Sequence, residues 1–252
     1  PIRSILSFLM SVFLLVACGE APVVQERAAG IATPIASAGT DAVDAEEATR
    51  EFHAWLDEEF SVELDFSPLS KTRLGDKSNY GDLDDVSEAA LDRQLSWRRD
   101  SVSRMQATFD RDALNEEGKI SWDLWEFMLE REEASQPYRR HRYIFGRNGP
   151  QTGLPNSLIN YQDVDSVADM EAYISRLNQS NRYMGQYLER AKLSVADGIR
   201  APHFDYDQAI SEILRVTSGT PFSAEGDSAI WADITSKLDA LADEGVVSAS
   251  GR

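Results

Sequence analysis

From Ala48 onward, apolar residues recur at helical spacing. Phe52, Trp55, Leu56 and Phe60 stand at i, i+3, i+4 and i+8, one stripe of a helix starting near Thr49. Phe66-Ser67-Pro68 ends it, because proline disfavours helical backbone at the residue before it. Ser87 is placed to cap a second helix carrying Leu91, Leu95, Val102, Met105 and Phe109 on one face. Ser121 is the expected cap of a third, with Trp122, Trp125, Met128 and Leu129 on its buried side. Asp165 or Ser166 opens a long fourth helix with Met170, Tyr173, Ile174, Leu177, Met184, Tyr187, Leu188 and Ala191. Asp205 precedes Ala209, Ile210, Ile213 and Leu214, and Ser228 precedes Ile230, Trp231, Ile234, Leu238 and Leu241. No run of β-branched residues alternates with polar ones, and no Asn-Gly turn joins two such runs. The pattern predicts an all-α chain, an irregular array of about six helices.

Between the third and fourth helices the rhythm breaks. Tyr143 to Pro155 holds three Gly and two Pro, which predicts a shaped loop rather than a helix. Loops held on a rigid helical frame are where binding groups tend to sit, although a plain connector would read the same way. A second punctuation, Asp197-Gly198-Ile199-Arg200-Ala201-Pro202-His203, ends the fourth helix with Gly near its C-cap.

The first residues follow another pattern. Arg3 precedes an apolar run from Ile5 to Val16, then Ala17-Cys18-Gly19, which describes a secretory signal. That run is short of the roughly 20 residues a bilayer span requires. Leu15-Val16-Ala17-Cys18 resembles the bacterial lipobox, so Cys18 is the expected lipid attachment point, and acyl chains there would hold the protein to a membrane. The stretch up to Glu47 is rich in Ala, Pro, Gly and Thr and poor in large side chains, the composition of a flexible tether. The expected organisation is a signal peptide over 1–17, a linker over 18–47, a helical domain over 48–222, and a last helix and tail over 223–252. The expected address is the bacterial cell envelope, facing the periplasm and anchored in the outer membrane. The chain begins at Pro rather than Met, so at least one residue is expected to precede it.

Charge and chemistry narrow the function classes. Lys+Arg number 25 against Asp+Glu 43, a formal net charge of −18, which speaks against nucleic acid as a partner. One Cys and three His (His53, His141, His203) leave no disulfide framework and no pair of imidazoles one helical turn apart. No Gly-x-Ser-x-Gly, phosphate loop or Gly-x-Gly-x-x-Gly is present. Asn115-Glu116-Glu117-Gly118-Lys119-Ile120 has the look of a calcium loop, but its first and twelfth ligand places hold Ala113 and Leu124, so a polar turn is the better reading. Asp82, Asp84 and Asp85 are expected to face solvent or to cap the second helix. The block Arg139-Arg140-His141-Arg142 stands out in so acidic a chain. Ion pairs with Glu130, Glu132 and Glu133 explain it, as does an Arg reaching into a cleft to hold a substrate carboxylate. The second possibility makes Arg140, His141, Arg147, Asn148 and Gly149 the candidate cleft or substrate loop. No catalytic or metal-binding residue is assigned, and no cofactor is expected within this chain.

Three stretches together resemble one bacterial envelope family. The first is Phe52 to Phe60 followed by Ser67-Pro68 and Leu74-Gly75. The second is Gly149-Pro150 and Leu154-Pro155, followed by Asp169-Met170-Glu171-Ala172-Tyr173-Ile174-Ser175-Arg176-Leu177. The third is Gly198-Ile199-Arg200-Ala201-Pro202. Their order, behind a lipobox, resembles the N-terminal half of the domain of unknown function eight-eight-five. The resemblance implies a helical zinc metallopeptidase-like protein acting on peptides. Its metal motif, His-Glu-Gly-x-Pro-Gly-His-His, belongs to a C-terminal half absent from these 252 residues. The chain would then be the non-catalytic wall of a cleft, a fragment that leaves apolar surface uncovered. The alternative is a complete, non-enzymatic helical binding or scaffolding lipoprotein of the periplasm.

Overall fold

The computed structural model describes residues 38–247. The chain divides into Pro1–Ala38 and Gly39–Arg252, and the architecture is that of the second unit. The expected signal peptide, Cys18, the expected linker up to residue 37, and residues 248–252 lie outside the described residues. Eight α-helices follow in order: α1 Ala38–Asp65, α2 Pro68–Arg73, α3 Glu88–Thr108, α4 Glu116–Ser135, α5 Pro150–Tyr161, α6 Val167–Ala196, α7 His203–Val216 and α8 Ala229–Asp243. Single 3₁₀ turns occupy Arg111–Ala113 and Gln136–Tyr138. Among the described residues there is no strand, only an isolated bridge between Thr220 and Asp227. No helix among them is long and apolar enough to cross a membrane. The all-α class stands.

Local chemistry sets most helix starts. Ser67, Ser87, Asn115, Ser166 and Ser228 each use a side-chain oxygen to accept a first-turn backbone N–H, which would otherwise lack a partner. Several boundaries differ from those the spacing predicts. Helix α1 begins at Ala38, well ahead of Thr49, and takes in residues 38–47, which the composition assigns to a tether. Helix α4 opens after Asn115 rather than at Ser121, which lies inside it with its hydroxyl 3.1 Å from His53 Nε2. Helix α7 starts at His203, ahead of Asp205. Helices α2 and α5 are additions to the expected six. α5 runs through half of the Gly/Pro-rich segment because Pro150 sits at its first position, where a missing N–H costs nothing. Pro155 then removes only the bond to the Gln151 carbonyl.

Two apolar cores result. The first gathers Phe52 from α1, Val102 and Met105 from α3, Leu114, and Trp122 and Trp125 from α4. Phe52 is fully buried, with the rings of Phe109 and Trp122 at 5.2 and 5.8 Å. The second core joins Leu69 of α2, Leu154 and Leu158 of α5, Met170, Tyr173 and Tyr183 of α6, and Leu241 of α8. Not every residue on the expected stripes is covered. Ile174 and Leu188 of α6 are exposed, and of the α7 stripe only Ala209 is buried while Ile210, Ile213 and Leu214 are exposed.

The non-helical segment around 80–87 lies along α6 and is held by a polar stripe. Arg176, Gln179, Arg182, Gln186 and Arg190 recur every three or four residues on that helix. Gln179 accepts from the Leu83 N–H and donates to the Gly81 carbonyl, while Gln186 accepts from the Val86 N–H. Arg176, Arg182 and Arg190 donate to the carbonyls of Asp82, Leu83 and Val86. A chain segment without secondary structure has to find such partners when buried. Asp84 departs from expectation here: it neither caps α3 nor faces solvent alone. Its carboxylate accepts from the Leu69 N–H at 3.0 Å and the Ser67 hydroxyl at 2.9 Å, fastening the start of α2. Burial, the largest effect on it, holds that carboxyl above its ordinary range despite those donors.

Candidate functional site

The punctuated loop after the Gln136–Tyr138 turn runs to Gly149 and leans over α2 and α6. The Gly149 N–H and the Gln151 side-chain amide both donate to the Gly146 carbonyl, at 2.9 and 2.7 Å, which folds the loop back onto the start of α5. Only glycine fits at 149. A Cβ there would stand 2.2 Å from Gln151 Oε1 and 2.7 Å from the Ile144 carbonyl oxygen.

The arginine block divides by role. Arg139 pairs with Asp92 at 2.7 Å and Glu88 at 3.4 Å, and Arg140 with Asp197 at 3.1 Å. These partners belong to α3 and the end of α6, so the ion pairs exist but not with Glu130, Glu132 or Glu133. His141 is exposed, its ring edge-on to Tyr138 at 5.6 Å. Arg147 is also exposed. Arg140, His141 and Arg147 do not enter the cleft described next.

Asn148 and Gly149 do enter it. With Arg142 they line a cleft of about 250 Å³ whose other walls are Arg73 of α2, Ser157 of α5, and Tyr183 and Arg190 of α6. Arg73 donates to the Ser157 hydroxyl at 3.0 Å and stands 5.6 Å from the centre of the Tyr161 ring. Arg190 is held by the Val86 carbonyl at 3.3 Å and by Glu88 at 3.2 Å. Burial, the largest effect, pushes the Tyr183 hydroxyl well above its ordinary range, so it stays a neutral donor. Arg142 has no hydrogen bond or ion pair among the described residues. Three guanidinium groups around one cleft, one of them uncommitted, form an arrangement suited to a carboxylate. Arg73 and Arg190 come from distant parts of the chain, with nothing beside them in sequence to mark them. Gly149 was marked by its Gly-Pro context.

The opposite face of α5 borders a second, half-open space of about 670 Å³ between α5, α6, α7 and α8, lined by Leu154, Leu158, Leu177, Met184, Ile213 and Trp231. Gln151, Ser180, Thr217 and Ser228 are its polar lining, and Gln151 stands out. It is 4% exposed, and its Oε1 has no hydrogen-bond partner among the described residues, while its Nε2 donates to Glu212 at 2.9 Å.

The zinc that the family resemblance implies does not fit these side chains. Among the described residues no three His, Cys, Asp or Glu groups stand together as ligands. His53 meets Ser121, His141 meets Tyr138, and His203 meets Asp207 on its own helix. A metal site would need three such groups around one point.

No curated protein and no solved structure matches the chain. Residues 68–252 match the family model described as Bacterial protein of unknown function (DUF885). The matched span takes in α2, the extended segment, the arginine-lined loop cleft and every helix of the second core. Since it covers well over half of the 252 residues, the chain belongs to that bacterial family, DUF885.

Proposed function

We propose that this protein works at the bacterial envelope as a lipoprotein anchored through Cys18, and that its helical domain is the binding wall of a peptide-handling cleft. Hydrolysis is not assigned to these residues. The observation carrying this reading is the loop cleft, where Arg142 lacks a partner while Arg73 and Arg190 stand around it. A peptide carboxylate would give Arg142 the charge-assisted pair it lacks. The uncovered apolar residues of α7, with Phe204, Ile210 and Leu214 each more than half exposed, support the further point that such a wall packs against additional polypeptide.

The test is calorimetric. An apolar tripeptide with a free C-terminal carboxylate should bind, its C-terminal amide should bind about tenfold more weakly, and Arg142→Ala should erase the difference. Equal binding of acid and amide would refute the reading of the cleft. The anchor is tested separately by cell fractionation, since Cys18→Ser should move the protein from membranes to the soluble fraction.

A second reading, a non-enzymatic binding lipoprotein, draws support from the half-open apolar space of 670 Å³ between α5, α6, α7 and α8. Binding of an apolar fluorophore lost on Leu158→Gln, with no effect from peptides, would favour it.

A further inference from the structure

Beside the loop cleft, with which its own cleft shares Arg73, α3 buries a cation that its surroundings only partly satisfy. Arg98 is 4% exposed, its guanidinium carbon 4.8 Å from the centre of the Trp97 ring and 4.5 Å from that of Trp125. Nη2 is bound by Glu63 of α1. Nε and Nη1 are buried with no hydrogen-bond partner among the described residues. Two charged donors left without acceptors cost the fold free energy that a bound acceptor would recover in part.

Arg98 lines a half-open cleft of about 510 Å³ between the end of α1, α2, α3 and α4, a size suited to a small molecule. Phe60, Phe66 and Trp97 supply apolar wall, and Phe60 is 47% exposed at the cleft. Four charged residues line it, Arg73 and Arg98 against Glu63 and Glu132, so their charges balance. Arg73 is already engaged by Ser157. Burial first, and then the charge of Glu63, holds the Glu132 carboxyl above its ordinary range, with Arg98 pulling the other way. A ligand carboxylate would add a third acid beside those two, at a cost that a neutral acceptor avoids.

We propose that this cleft is a second ligand site, in which the unpartnered Nε–H of Arg98 donates to the neutral carbonyl oxygen of an acyl amide whose apolar body lies against Phe60, Phe66 and Trp97. The proposal does not depend on the loop cleft, and its test reads different residues.

The test is a titration of the isotope-labelled full chain with N-acetyl-leucine amide, followed by the Trp97 indole N–H and Arg98 Nε–H resonances. Both should shift saturably. N-acetyl-leucine as its carboxylate should bind about tenfold more weakly, since it adds charge where none is wanted. Arg98→Lys keeps a cation for Glu63 but removes the free Nε–H donor, and should weaken the amide about tenfold. Should that variant fold poorly by circular dichroism, Phe60→Ala replaces it, because Phe60 is half exposed and its loss should weaken binding about threefold. The proposal is overturned if neither resonance moves at the solubility limit of the amide, which would leave water as the acceptor. It is equally overturned if the carboxylate binds as tightly as the amide, or if the folded variants bind like the parent.

Discussion

Replacing Arg176 by Met should unlock α2 and the extended segment from α6. Arg176 is fully buried and donates to four acceptors: the Asp82 carbonyl at 2.9 Å, Gln162 Oε1 at 3.1 Å, the Pro68 carbonyl at 3.3 Å and Thr72 Oγ1 at 2.8 Å. Its guanidinium also stands 5.4 Å from the centre of the Tyr80 ring. Met matches the length of the apolar stem but carries no donor. Thr72 already donates to the Pro68 carbonyl, so that oxygen keeps a partner. The Asp82 carbonyl and Gln162 Oε1 do not, and Gln162 is itself fully buried. Two orphaned acceptors at about 1–3 kcal/mol each, partly offset by no longer burying a charge, give an expected loss of about 4 kcal/mol. Against a total stability of about 5–15 kcal/mol this is a large fraction. With an m-value of about 2.5 kcal/mol/M, the urea midpoint followed by far-ultraviolet circular dichroism should fall by about 1.6 M. Amide exchange at Leu83 and Val86 should quicken in parallel, because their N–H partners Gln179 and Gln186 sit on the same stripe of α6. Arg176→Lys, keeping the charge and one donor direction, should fall between the two. A midpoint shift below about 0.4 M in the Met variant, equivalent to 1 kcal/mol, would show that the network is ornamental and refute the reasoning.

Two further substitutions probe the packing and the charges. Gly118→Ala gains about 1 kcal/mol of helix propensity, yet its Cβ would stand 2.9 Å from Thr49 Oγ1 and 3.0 Å from the Leu114 Cβ. Separating α1 from α4 should outweigh the gain, giving a net loss of about 1–2 kcal/mol in a thermal melt; a raised midpoint would show that the contact yields freely. Asp169 is pushed up by burial but pulled below its ordinary carboxyl range by hydrogen bonds from Lys77, Ser166 and the Asp165 N–H. A folded-state pKa lower than the unfolded value gives stability that is present above about pH 4 and lost as pH falls through the folded value. Asp169→Asn should therefore flatten the acid limb of urea midpoints measured between about pH 2.5 and 6, and parallel profiles for the two proteins would exclude that linkage.

Much of the helical framework follows from local rules that need no partner. The Ser87, Ser166 and Ser228 caps, the break at Ser67-Pro68 and the end of α6 near Gly198 stand where the spacing puts them, because each is decided by hydrogen bonds within a single turn. The Phe52–Trp55 and Trp122–Trp125 stripes likewise meet in one core, since apolar faces at helical period have one direction to go. Ser121 carries no local mark of its place, because a serine before a hydrophobic run looks the same whether it caps a helix or meets a histidine on a neighbouring one. α5 is masked by its Gly/Pro content because proline breaks a helix only where its missing N–H is needed, and at the first position it is not.

The sites depended on tertiary structure far more heavily. Gly149 and Asn148 carry a local signal, but Arg73 and Arg190 join them only when α2 and α6 pack against the loop. The partners of Arg139 and Arg140 were set in the same way: Glu88, Asp92 and Asp197 outcompeted the nearer glutamates of α4 by position in space. The polar stripe from Arg176 to Arg190 could be read as a surface, yet it is an interface, because an irregular segment must satisfy its backbone wherever it is buried. Helix period and capping act over one or two turns and are written in adjacent residues. Which charges remain uncommitted depends on which helices come within a few ångströms of one another, and for Arg98 and Arg142 only the packed chain decides that.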